Sequence, residues 1–177
     1  MGRIVGNFFI ALDGVVEAPD QWHFPYFNDE MGAAVSSGME SNKAFLMGRR
    51  LYDEWAAYWP TSEDDIAGYF NNIPKYVISN SLTNPSWNNT TVLPGDANAV
   101  RAFKDGIDGD IGMSGSATTV RWLLANGLLD ELRLLVHPIA VGKGLRLFED
   151  TRTHPLKLAN SVTFTNGVLD LTYVPAE

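Results

Sequence analysis

The chain has 177 residues, 45% of them hydrophobic and 11% aromatic, with no cysteine. Thirteen basic against 21 acidic residues leave a formal net charge of −8, which excludes nucleic acid as an expected partner, because a phosphate backbone calls for a basic face. Without cysteine there is no disulfide, thiolate zinc site, iron–sulfur cluster or cysteine nucleophile, and the composition suits a reducing cytoplasm.

Ile4–Leu12 reads as a first, buried strand. It is too short to span a bilayer, carries Asn7, and runs into Asp13-Gly14 instead of a small-residue cleavage site, so neither a membrane span nor a signal peptide is expected. An aromatic loop, Trp22-His23-Phe24-Pro25, follows. Asn28 is placed to cap a helix whose apolar face runs through Met31, Val35 and Met39. Ala44–Met47 is the second strand, and Ser62-x-x-Asp65 has the form of a capping box opening another helix. Lys75–Ser79, Thr90–Leu93, Asp110–Met113 and Glu131–His137 are further short apolar runs closed by turn residues. Val120, Leu123 and Leu124 form a helical stripe that stops at Asn126-Gly127. Finally, Val162–Thr165 and Val168–Leu171 flank Asn166-Gly167, a strong signal for a tight hairpin. With no repeat or long linker, the expectation is one α/β domain over residues 1–177. Its sheet is mixed and mostly parallel, with helices on both faces and a C-terminal antiparallel hairpin.

Four segments could carry chemistry. Met47-Gly48-Arg49-Arg50 joins a strand end to a helix start. There a glycine admits a ligand to the backbone, free N–H groups attract an anion, and arginines offer bidentate donors to phosphate. A solvated surface pair is the competing reading. Ser114-Gly115-Ser116-Ala117-Thr118 is a second strand-to-helix junction of small residues. It is neither G-x-G-x-x-G, a P-loop nor a nucleophile elbow, and simple N-capping by Ser116 competes with a ligand-binding role. Pro138-x-x-x-Gly142-Lys143-Gly144-x-x-Leu147-Phe148 is a glycine-containing loop that a tight turn explains equally well. Leu12-Asp13-Gly14 and the Trp22–Pro25 loop lie where open α/β sheets bind ligands, at the carboxyl ends of strands. His23, His137 and His154 fall in no metal-ligand spacing, so no metal is expected and each histidine reads as a surface or satisfied core residue.

In order and spacing these segments resemble the dihydrofolate reductase-like superfamily, and most closely the reductase domain of bifunctional riboflavin-biosynthesis proteins. The resemblance covers nearly the whole chain. It implies NADPH as cofactor, with Gly48, Arg49 and Arg50 at the pyrophosphate and 2′-phosphate. Ser79 and Asn80 would flank the adenosine phosphate, and Gly115, Ser116, Ala117 and Thr118 the pyrophosphate and nicotinamide ribose. Folate reductases carry W-x-x-P-x-[DE]; here Trp22 and Pro25 match, but Phe27 stands at the acid position. Asp29 and Glu30 follow two and three residues later, and a helix advances 100° per residue, so neither faces as Phe27 does. Folate is therefore not the expected substrate.

The function this implies is hydride transfer from NADPH to a small heterocyclic, carbonyl or imine substrate. Asp13 would bind substrate or relay a proton, and Trp22, His23 and Phe27 would wall the pocket. Pyrimidine reduction in riboflavin synthesis is one alternative. No zinc-deaminase motif precedes the reductase segments, which points instead to a standalone enzyme with another substrate. A non-catalytic NADP-binding regulatory protein is an alternative of another class. A homodimer is expected, because the C-terminal hairpin leaves a sheet edge to cover and the resembled branch tends to dimerise.

Overall fold

The computed structural model describes residues 1–176. Eight strands form one sheet in the order β4-β3-β2-β5-β1-β6-β8-β7. Its parallel part comprises β1 (Arg3–Ala11), β2 (Asn42–Gly48), β3 (Lys75–Ile78), β4 (Thr90–Leu93), β5 (Asp110–Met113) and β6 (Glu131–His137). β7 (Leu156–Thr163) and β8 (Leu169–Pro175) complete it as an antiparallel hairpin on β6. β1 lies between β5 and β6. It is covered on both faces, which is why its sequence reads as an almost continuous apolar run and not as an alternation.

Helices cover both faces. On one, α4 (Ala97–Gly106) and α5 (Ala117–Ala125) bury Val100, Val120 and Leu123 against Ile4, Leu46 and Ile111. On the other, α2 (Arg49–Tyr58) and α3 (Ala67–Asn72) bury Tyr52 and Phe70 against Phe45, Met47 and Trp87. The same face carries α1 (Asp29–Ser41), whose Met31 packs against Phe164 and Val168. Asn28 caps α1 as expected, its side chain accepting the Met31 N–H at 2.9 Å. At the start of β3, the fully buried Lys75 donates from Nζ to the carbonyls of Phe70 (2.7 Å) and Ile73 (2.9 Å) beneath α3. Its ammonium also lies 4.4 Å from the centre of the Trp87 ring, and burial pushes its pKa down to about 8.

Two expectations change. Ser62-x-x-Asp65 is not a capping box: Ser62 ends the turn after α2, its hydroxyl bonds Asp64 locally, and α3 begins five residues later at Ala67. Competition from such local side-chain bonds is the usual reason a serine followed by acids stays out of a helix. The hairpin is also not closed by a two-residue turn. Thr165 belongs to the turn, the Gly167 N–H bonds the Phe164 carbonyl, and Gly167 takes φ +87. This is the longer hairpin form, with glycine in the left-handed position. Tertiary bonds fix it: Thr165 donates from its N–H and hydroxyl to Glu30 at 2.8 and 2.6 Å, and Asn166 donates to the Tyr26 carbonyl.

Among the described residues, no helix is long and apolar enough to cross a membrane.

Candidate functional site: a two-helix junction and an aromatic cluster

The parallel strands point their carboxyl ends the same way, so the loops that follow β1, β2, β3, β5 and β6 share one edge of the sheet. There, the N-termini of α2 and α5 come together. A Cβ on Gly48 would lie 2.5 Å from Thr119 Oγ1, closer than real Cβ contacts allow, so the first turn of α5 sits directly on the end of β2. A Cβ on Gly115 would in turn lie 3.4 Å from Leu51 Cδ2 of α2, and the Gly115–Ser116 peptide is cis. Neither N-cap supplies a side-chain hydrogen bond. The Ser116 hydroxyl turns to Thr119 Oγ1 at 3.2 Å, which sets aside N-capping as the explanation of this serine. Two adjacent helix N-termini thus keep first-turn N–H groups uncapped, and their dipoles favour an anion. Ala117 is in the core, so it can offer a ligand only its backbone, while Thr118 is exposed.

The arginines diverge. Arg49 pairs with Asp53 (2.8 Å) and donates to the Ser81 hydroxyl (3.3 Å), which brings α2 to the turn after β3. The Ser79 hydroxyl accepts the N–H groups of Ser81 and Leu82, and Asn80 accepts the Gly95 N–H at 2.8 Å. Arg50 instead pairs with Glu54 and, at 3.7 Å, with Glu17 of the β1 loop. Arg49, Ser79 and Ser81 therefore cluster, whereas Asn80 and Arg50 are engaged elsewhere. Ser81 escaped the sequence reading, although the alternation Ser79-Asn80-Ser81 placed a second hydroxyl beside the first. The ion pairs are exposed and weak, so an incoming phosphate can displace them at little cost.

Asp13 follows β1 and clamps the glycine loop: Oδ2 accepts the Gly142 N–H at 2.7 Å, and its carbonyl accepts from Arg146 Nε. The Gly142 N–H, foremost, holds this carboxyl below the usual range. Oδ1 has no partner and no solvent contact. Gly142 and Gly144 take φ +83 and +111, conformations that favour glycine and let the loop fold back onto the β1 loop.

Beside this clamp the rings of the β1 loop and of His137 pack into an aromatic cluster. His23 stacks on Phe9 (centroids 4.6 Å) and leans on Phe24 (4.2 Å), and Phe27 meets its edge at 6.3 Å. Trp22 is buried and donates to the Glu17 carbonyl. His137, fully buried at the end of β6, makes edge contacts with Trp22, Phe9, Tyr26 and His23. Its Nδ1 lies 2.8 Å from the Leu135 carbonyl, so Nδ1 carries the proton. That leaves Nε2 as a buried acceptor without a partner, and His23 Nδ1 is likewise unpartnered. Burial pushes both pKa values below the ordinary histidine value. His137 is thus a core histidine but an unsatisfied one, which corrects the sequence reading. The missed signal was an apolar strand ending on a histidine beside the end of β1. Its tertiary neighbours could not be read locally. Among the described residues, no three His, Asp or Glu side chains gather as metal ligands would. Outward of Phe27, a groove of about 330 Å³ runs between α1 and α3.

A mostly parallel sheet with an antiparallel edge hairpin, and this junction at its carboxyl end, define a dihydrofolate reductase-like protein. The chain belongs to the RibD C-terminal domain family, whose model matches residues 3–169. It is 28% identical to the uncharacterized protein YyaP of Bacillus subtilis strain 168, over 97% of this chain and 94% of that one. A riboflavin-biosynthesis protein structure from Shewanella sp. PV-4 superposes with a TM-score of 0.81 at 18% identity, covering 99% of each chain. Dihydrofolate reductase from Enterococcus faecalis, solved in complex with NADP(H) and RAB-propyl, gives a TM-score of 0.66 at 12% identity, over 99% of this chain and 97% of that one. The family points to a reductase.

Proposed function

We propose that this protein is an NADPH-dependent reductase of a small unsaturated substrate, working in the cytoplasm as a homodimer. The observation that carries this reading is the pairing of two uncapped helix N-termini, α2 and α5, over a Gly48 that has no room for a side chain. This is a backbone cradle suited to a pyrophosphate. Gly48, Gly115, Ser116 and Ala117 would hold it through main-chain N–H groups, with Thr118 at its rim. Arg49, with Ser79 and Ser81, would take the 2′-phosphate; Arg50 and Asn80 would need to leave Glu54 and Gly95 to assist. When bound, the cofactor supplies the hydride. This chain's residues bind, orient and exclude water. Trp22, His23 and Phe27 wall the substrate side. Asp13, ionised, holds the glycine loop through Gly142, and its Oδ1 would accept a substrate N–H only once that loop moves aside, a positioning role that suits a carboxylate with a lowered pKa better than proton donation does.

An arginine-held phosphate contributes a charge-assisted hydrogen bond of roughly 1.5–3 kcal/mol, or about ten- to a hundredfold in affinity. Titration should therefore show NADPH bound that much more tightly than NADH, with most of the preference lost in Arg49→Gln. Equal affinity for the two would overturn the reading. Pyrimidine reduction in the riboflavin pathway is the second reading, favoured by the family match itself. Turnover of that phosphorylated pyrimidine with NADPH would establish it.

A further inference from the structure

We propose that the groove beneath the segment joining β6 to β7 is an accessory site for a small organic anion with an apolar body, an aromatic carboxylate or phosphate monoester. The groove encloses about 330 Å³, enough for a bicyclic ring, and is lined by Phe148, Thr151, Arg152, Thr153, His154 and Leu156. None of these residues belongs to the β1 loop, α1 or α2. α5 begins at the cradle with Ala117 and ends at Ala125. The groove is anchored to that far end, where Arg152 donates to the Ala125 carbonyl at 2.6 Å. Leu156 opens β7 opposite Pro175 of β8, beyond the pairing of Tyr173 with Leu132 near the start of β6. The groove thus runs along the α5 face toward the amino ends of the parallel strands, away from Gly48 and the aromatic cluster.

The lining divides by chemistry. Phe148 and Leu156 supply apolar contact, and Phe148 is 40% exposed although the preceding Leu147 is fully buried. The other four side chains are a guanidinium, two hydroxyls and an imidazole, with Thr151 Oγ1 at 3.4 Å from His154 Nε2. No carboxylate lines the groove, although Glu149 and Asp150 directly precede Thr151. In a chain with 21 acidic residues against 13 basic, cations readily find acids, and Arg3, Arg49, Arg50, Lys104 and Arg133 all do. Around this groove, among the described residues, the arginines bond backbone instead. Arg152 donates to the Ala125 carbonyl, Arg101 to the adjoining Asn126 carbonyl, and Arg121 to those of Arg146 and Leu147. The end of a helix holds a cation there through its carbonyls and dipole, without neutralising it. A guanidinium has five N–H donors, and Arg152 commits only Nη2, so it keeps donors for a carboxylate or phosphate. A fixed positive charge with two hydroxyls beside an apolar floor is complementary to an anion carried on a flat ring.

Amide chemical-shift titration of the full-length chain with 2-naphthoate, 2-naphthyl phosphate and the neutral 2-naphthamide reads position and affinity together. Shifts induced by at least one anion should centre on residues 148–156 and on Ala125–Gly127, and the stronger of the two identifies the headgroup. The neutral amide should bind about tenfold more weakly or worse, for want of a charge-assisted bond. Arg152→Gln should cost the anion about tenfold in affinity, and Arg152→Lys, which keeps the charge, should recover part of it. Thr153→Trp, a change on an exposed loop, should fill the groove and abolish the shifts while the melting temperature and NADPH affinity hold. Shifts confined to the carboxyl ends of the strands, an amide bound as tightly as the anions, or binding indifferent to both Arg152→Gln and Thr153→Trp would each overturn the proposal. So would the absence of any shift at millimolar concentration.

Discussion

Gly48→Ala is the sharpest single perturbation of the junction that defines the site. The added methyl would lie 2.5 Å from Thr119 Oγ1 but 3.8 Å from both Thr119 Cβ and Ser116 Oγ, so the clash is with one hydroxyl. Thr119 sits in the first turn of α5, whose Val120 and Leu123 are fully buried, so the helix cannot simply slide away. Overpacking of this kind costs about 1–3 kcal/mol. Thr119→Ala alone loses the 3.2 Å contact with Ser116 but gains helix propensity, so its effect should be under about 1 kcal/mol. In the double variant, the nearest atoms to the new methyl are at ordinary contact distance. Urea denaturation of the four proteins should then show a coupling of about 1–2 kcal/mol, with most of the Gly48→Ala penalty removed by Thr119→Ala. If Gly48→Ala costs the same in both backgrounds, the β2–α5 contact is not what excludes a side chain at position 48, and the cradle argument loses its basis.

Asp13→Asn keeps an oxygen to accept from Gly142 but removes the charge, so turnover should fall well before NADPH affinity does. Asp13→Ala should also raise amide exchange across Gly142–Leu145, and unchanged exchange there would rule out the clamp. His23 and His137 have lowered pKa values in the fold, so between those values and the ordinary 6.5 only the unfolded chain takes up protons. Stability should therefore fall as pH drops below the ordinary histidine value, by up to about 1.4 kcal/mol per pH unit per histidine. His137→Phe should flatten that slope, and an unaltered slope would place the acid sensitivity elsewhere. For the proposed homodimer, β7 is one of the two edge strands, beside β4, and exposes Leu158 and Val162. Sedimentation at micromolar concentration should give about twice 19.5 kDa, and a charge introduced at Leu158 or Val162, counted twice across a two-fold interface, should halve it. A monomeric parent, or a dimer indifferent to both changes, would remove the hairpin as the interface.

Much of the architecture was legible because it is written in short-range pattern. The apolar run through Ile4, Val5 and Phe8, the stripe Val120-Leu123-Leu124, and the cap at Asn28 each report their own secondary structure, because burial and backbone bonding impose fixed periods. Motif order was likewise enough to place the chain in its superfamily. What the sequence could not hold was convergence. The neighbours that isolate His137 come from β1 and the loop after it, more than a hundred residues away. The steric rule at Gly48 is made by Thr119, and the role of Asp13 by Gly142. Arg49 and Arg50 are adjacent in sequence and equal in charge, yet successive helical residues point about 100° apart. The fold therefore sends one to Ser81 and the other to Glu17. Local pattern determined which elements form, and packing between elements remote in the chain decided which side chains meet at the strand ends.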